Sequence, residues 1–207
     1  MEPFDTFEHE GIKVELHYDW DPGDPREWQR LGEMVCWHRR YNLGDRQPDS
    51  QEEEALNRGG FKLLDRYLRI AKGATQVIPL GLIDHSGISM YAGGGSHWSD
   101  AAGWDSGTVG FIFDTPQLRE ECGTPPDLVE KGLREEIEVY DEYLTGQVYG
   151  YVAAPDEDDQ DSCWGFFGCS RDDSYLREEA KASAAAIAHE RAINEEPVDV
   201  AEVLASL

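Results

Sequence analysis

Near residue 73 the apolar pattern of this chain changes period, and that change points to a mixed α/β architecture. Before it, Ser50 and Glu53 have the spacing of a capping box, and Leu56, Leu63, Leu64, Tyr67, Leu68 and Ala71 form a helical stripe. Gly59-Gly60 weakens that helix by about 1 kcal/mol per glycine and divides it. Gly73 is its stop. After it, residues 75–83 read as a β-rich run, with Pro79 placing the run at an edge or a bulge. Asp84-His85-Ser86-Gly87 forms a turn into a strand from Ile88 to Tyr91. A glycine-rich loop over 92–107, with Trp98 and Trp104, precedes a strand from Thr108 to Phe113.

The flanking segments extend the same mixture. Ile12-Lys13-Val14-Glu15-Leu16 alternates as a strand after an acidic lead. Asp24 and Pro25 fit a helix start, and the spacing of Trp28, Leu31, Val35 and Arg39 predicts a helix to about Arg40, ended by Asn42-Leu43-Gly44-Asp45. Leu128, Leu133, Ile137, Tyr140 and Leu144 predict a helix ending at Gly146. Strands are expected over Gln147–Ala154 and Ser162–Cys169, around an acidic hairpin tip. An alanine-rich helix is expected from Asp173, and a short final one after Pro197. The expected fold class is α+β, a mostly antiparallel sheet of five or six strands with helices packed on one face. One domain over 1–194 and a helical appendage over 195–207 complete the expectation.

Charge narrows the partners. The 43 acidic residues outnumber the 18 Lys and Arg, for a net −25, and residues 114–207 carry 24 acidic groups against 7 basic ones. Such a field repels nucleic acid and anionic membranes and attracts cationic surfaces. An apolar share of 40% with 22 Phe, Trp and Tyr is too rich for a disordered acidic chain, so a real core is expected. With no run near the roughly 20 apolar residues of a membrane span, and no basic or apolar leader, the expected address is cytoplasmic. Lysine is scarce, 5 beside 13 Arg, which is also how a protein adapted to molar salt looks. Cys36, Cys122, Cys163 and Cys169 show no CxxC spacing and read as reduced thiols.

Three polar motifs invite an enzymatic reading. His38, Asp84, His85 and Asp105 are competent ligands for a divalent metal and a metal-assisted hydrolysis. No HExxH or HxxxH spacing accompanies them, and Asp84 and Ser86 equally suit a tight turn held by side-chain-to-backbone hydrogen bonds. Cys36 as nucleophile with His85 as base and Asp105 as orienter is a second arrangement. It sits on an apolar stretch, however, where a thiol is ordinarily structural. Arg39, Arg40, Arg46, Arg58, Lys62, Arg66, Arg69 and Lys72 are the basic residues nearest to a patch, and pairing with the chain's own acids accounts for them. No cofactor is expected.

The acidic residues make the stronger case. Glu135, Glu136, Glu138, Asp141 and Glu142 are expected on the solvent face of one helix, and Asp156, Glu157, Asp158, Asp159 and Asp161 on a hairpin tip. Carboxylates held on a rigid scaffold imitate the phosphate rows of a duplex, so a cationic groove would bind them.

The segments Met34-Val35-Cys36-Trp37-His38-Arg39-Arg40-Tyr41-Asn42-Leu43-Gly44-Asp45, Asp84-His85-Ser86-Gly87, Trp104 to Ile112 and Tyr143 to Tyr151 carry a resemblance. Together they resemble a family of small acidic hypothetical proteins of tailed phages, plasmids and integrated elements, over roughly residues 10–170. The resemblance implies a mobile-element setting and a counter-defence or host-takeover role, met by binding a nucleic-acid-handling or defence partner. It implies no mechanism.

Overall fold

A computed structural model describes residues 2–97, 104–154, 160–168 and 174–195. In chain order the elements are β1 (Asp5–His9), β2 (Ile12–Tyr18), a 3-10 turn (Pro25–Glu27), β3 (Gly32–Cys36), α1 (Ser50–Tyr67), a π-helical turn (Leu68–Lys72), β4 (Val77–Asp84), β5 (Ile88–Ala92), β6 (Ser106–Asp114), α2 (Pro116–Cys122), α3 (Val129–Thr145), β7 (Val148–Ala153), β8 (Asp161–Phe167) and α4 (Ser174–Glu195). The α+β class holds. The eight strands form two antiparallel four-stranded sheets in place of one sheet of five or six. They belong to two compact units, one made of residues 1–22 and 146–207, the other of residues 23–145.

In the first unit the order is β1-β2-β7-β8. Ile12, Val14 and Leu16 alternate with Lys13 and Glu15, so one face of β2 is apolar. That face joins Tyr149, Tyr151 and Ala153 of β7 under Leu176, Ala180, Ala184 and Ile187 of α4. Small alanines let α4 lie close on the sheet. β8 bulges at Gly165, whose φ of +83° suits glycine, and the register skips from Phe166 to Trp164 opposite Tyr149 and Gly150. β1 lies within the residues expected as an acidic lead. Its short inward-facing pattern has only Phe7 to mark it.

The second unit has three layers around the sheet β3-β6-β4-β5. Met34, Cys36, Leu80, Leu82, Met90 and Ile112 pack against Val129, Leu133, Ile137 and Tyr140 of α3. On the opposite face, Val35, Phe111 and Phe113 pack against Ala55 and Leu64 of α1 and Leu68 of the π turn. Helices therefore cover both faces here, where one covered face was expected.

The predicted helix over 25–40 is the largest correction. After one turn at Pro25–Glu27, capped by Asp24 and led by Pro25, the chain becomes β3. Met34 and Cys36 serve one layer and Val35 the other, so the strand is buried on both faces and its apolar run shows no alternation. The helical spacing of Trp28, Leu31 and Val35 is coincidental. α1 starts as expected but with a capping box one residue earlier, between Asp49 and Glu52. Gly60, at φ +62° and ψ −159°, breaks it where the glycine pair was expected to. Pro79 lies in an inner strand beside the β4–β6 bulge at Leu80/Gly81, just short of where pairing with β5 begins. α2 was not anticipated, and the helix expected after Pro197 lies outside the described residues.

Candidate functional site

Antiparallel pairing carries three of the sequence motifs to one end of the second sheet. β3 and β4 both finish there, at Cys36 and Asp84, and β6 begins there after Asp105. The polar side chains at this end are tied in pairs. The Asp84 amide donates to the Asp105 carbonyl at 2.7 Å, and His85 Nδ1 lies 3.0 Å from the Asp105 carboxylate. The Arg40 guanidinium holds the Asp84 carboxylate, leaving His38 Nε2 at 3.9 Å from it. His38 Nδ1 accepts the Arg40 and Tyr41 amides at 3.3 and 3.2 Å, and its ring stacks on Tyr41.

The alternative reading gathered His38, Asp84, His85 and Asp105 around one metal; here they lie in separate pairs, with Arg40 on Asp84. Among the described residues no group of three or more His, Cys, Asp or Glu is placed to hold a metal. Cys36 is no better placed as a nucleophile, in keeping with the structural reading of its apolar stretch. It is buried in β3, and desolvation, with Asp45 adding to it, pushes its thiol up to about 12. As expected, the basic residues over 39–72 are largely paired with the chain's own acids: Arg46 with Glu33 and Glu52, Arg58 with Glu54, Arg69 with Asp65 and Lys72 with Asp49.

The acidic helix face is also different from its sequence image. Glu135 and Glu138 of α3 are exposed, Glu135 beside Lys131. Glu136 instead turns inward, accepting the Leu31 and Gly32 amides and pairing with the buried Arg26 at 2.8 Å. Asp141 accepts the Met90 amide at 2.6 Å, and Glu142 is half-buried. Of the hairpin-tip acids, Asp161 is exposed and accepts Ser183 Oγ at 2.5 Å, whereas Asp156, Glu157, Asp158 and Asp159 lie outside the described residues.

Burial raises the Asp141 carboxyl above its ordinary 3.8, against hydrogen bonds from Met90 and Ser89 that lower it. A raised carboxyl contributes stability that is present below the ordinary value and lost as pH rises through the folded one. Asp141→Asn keeps an acceptor for Met90 and removes the ionisable group. Its stability relative to the parent should therefore be more favourable at pH 7 than near pH 4. Urea midpoints of both proteins at the two pH values check this, and a relative gain on acidification would refute it.

What the sequence partition missed is how the fold groups charge. Residues 1–22 and 146–207 together hold 21 acidic groups against 5 basic ones, for −16, while residues 23–145 hold 22 against 13, for −9. Within the first unit, Lys13 pairs with Glu15, Arg177 with Asp5 and Lys181 with Glu178. Glu8, Glu10, Glu179 and Glu190 are exposed and make no ion pair among the described residues. The only advance signal was the acidity of both chain ends.

No family model, curated protein or solved structure matches this chain. No helix among the described residues is long and apolar enough to cross a membrane.

Proposed function

We propose that this chain is a non-enzymatic binding protein that recognises a cationic partner through the acidic unit built from residues 1–22 and 146–207. The observation that carries the reading is the −16 borne by that unit, whose Lys13, Arg177 and Lys181 are already paired with its own carboxylates. Unpaired exposed carboxylates such as Glu8, Glu10, Glu179 and Glu190 keep their field directed to solvent, where it steers and holds positive surfaces. A protein with a groove for nucleic acid fits best, since that groove is built to accept rows of negative charge. The mobile-element resemblance favours a host nucleic-acid-handling or defence complex as that partner, with the acidic unit acting as a DNA mimic.

The test is association with nucleic-acid-binding proteins of a host lysate, measured from about 50 to 500 mM NaCl. Binding should fall steeply with salt and be competed by duplex DNA. Glu8→Lys, Glu10→Lys, Glu179→Lys and Glu190→Lys combined should weaken it at least about tenfold with an unchanged urea midpoint, and Glu135→Lys with Glu138→Lys should do much less. No binding at the lowest salt refutes the reading. Unfolding below molar salt in addition would support salt adaptation as the reason for the charge.

A further inference from the structure

Each open edge of a β-sheet is a row of unpaired amides and carbonyls that recruits another strand unless something blocks it. This chain has four such edges, at β1 and β8 in one sheet and at β3 and β5 in the other. The β3 edge is covered by its own chain. Cys36 N donates to Arg46 O, Met34 O accepts from Asp45 N, and Met34 N donates to the Asp45 carboxylate. The β5 edge is stopped by α3, whose Asp141 takes the Met90 amide. At β1 the Thr6 amide is taken by Asp5 Oδ1 at 2.8 Å, and exposed Glu8 adds a charge to a five-residue strand.

Among the described residues, the stretch Asp161–Trp164 of the β8 edge has none of these devices. Asp161 to Trp164 are all exposed, and the strand contains no Lys, Arg or Pro to act as a guard. Its one charged residue is Asp161 at the first position. Trp164 is 43% exposed and backed by Gly150, where any side chain would run into its ring. An apolar platform therefore lies along an open backbone ladder. The unit around it carries −16, so a second copy of the chain would bring the same charge to the edge. A basic strand would bring the opposite charge.

We infer that the outer edge of β8 over Asp161–Trp164 receives a basic, extended segment of the partner, which joins the sheet as a fifth strand there with an apolar side chain against Trp164. The inference rests on the acidic-unit reading and gives it a place and a geometry. Main-chain hydrogen bonds supply affinity in this mode, and alternate side chains supply selectivity. Lys and Arg on the incoming strand meet the field of the surrounding carboxylates.

The probe is a capped octapeptide alternating valine with lysine and arginine, compared with its fully N-methylated counterpart, which keeps side chains and charge but donates no ladder hydrogen bond. The unmethylated peptide should bind at least about tenfold more tightly, shift the Trp164 fluorescence, and slow amide exchange within Ser162–Phe166. Equal, salt-sensitive binding of both peptides overturns the edge inference and leaves the acidic-unit reading standing. Failure of both peptides to bind at low salt removes both. Slow exchange of the outward-facing Ser162 and Trp164 amides in the free monomer would assign the edge to another segment of this chain, and in a free dimer, measured by sedimentation, to a second copy. Either result overturns the inference.

Discussion

Arg26→Met should destabilise the unit of residues 23–145 by about 3–5 kcal/mol, the usual cost of stranding buried charge. Arg26 is 5% exposed, and all three of its guanidinium nitrogens are engaged. Nε and Nη2 reach Asp45 at 3.0 and 2.9 Å, Nη1 reaches Glu136 at 2.8 Å, and Nη2 also donates to the Gly32 carbonyl at 2.7 Å. Methionine fills similar space but leaves Glu136 without its cation and Asp45 with only the half-buried Arg30, whose Nε lies at 3.3 Å. These carboxylates also hold the Leu31, Gly32 and Met34 amides, so the disturbance reaches the start of β3 directly. Urea unfolding, with hydrogen exchange at the β3 and β6 amides to localise the loss, measures the effect. Adding Glu136→Gln should return part of it. A loss below about 1 kcal/mol, the scale of an exposed ion pair, would mean that this network is dispensable.

Asp114→Ala should cost about as much, again about 3–5 kcal/mol, because it strands several donors together. The Asp114 carboxylate is fully buried at the end of β6. It accepts the Thr75 amide at 3.0 Å, the Gln76 amide at 2.6 Å and the Thr75 hydroxyl at 2.9 Å, and pairs with Arg119. One side chain thus ties the approach to β4 to the last turn of α2. Asp114→Asn keeps one acceptor oxygen and should lose clearly less than Asp114→Ala. Equal losses in the two variants would show that packing volume, not hydrogen bonding, is what the site needs.

Local chemistry made several elements readable in advance. The alternation of β2, the αL glycines at 73 and 146 and the apolar spacing of α3 each act within a few residues. α2 carried an equally plain signature, with Thr115 as cap, Pro116 in the first turn and Gly123 at the end, and was overlooked. β3 was unreadable for a physical reason. A strand buried on both faces has no alternation, and three residues at helical spacing then imitate a stripe. The candidate site divides similarly. The sequence offered His38, Asp84, His85 and Asp105 as ligands of one metal, but neither their place at one sheet end nor Arg40 on Asp84 was legible in it. The capture of Glu136 by Arg26 could not be anticipated, since that pair joins residues 110 apart in the chain.

By itself the sequence determined the α+β class, the large negative charge, the turn positions and most helix boundaries, because these depend on composition and on neighbours within one or two turns. Only the tertiary structure decided which carboxylates are consumed and which remain exposed, since ion pairs such as Arg26 with Asp45 and Glu136 form between distant segments. It also decided that both chain ends share one acidic unit and that β8 is an outer strand of its sheet. Coulomb attraction and strand pairing act through space, and their outcome depends on which segments the fold makes neighbours.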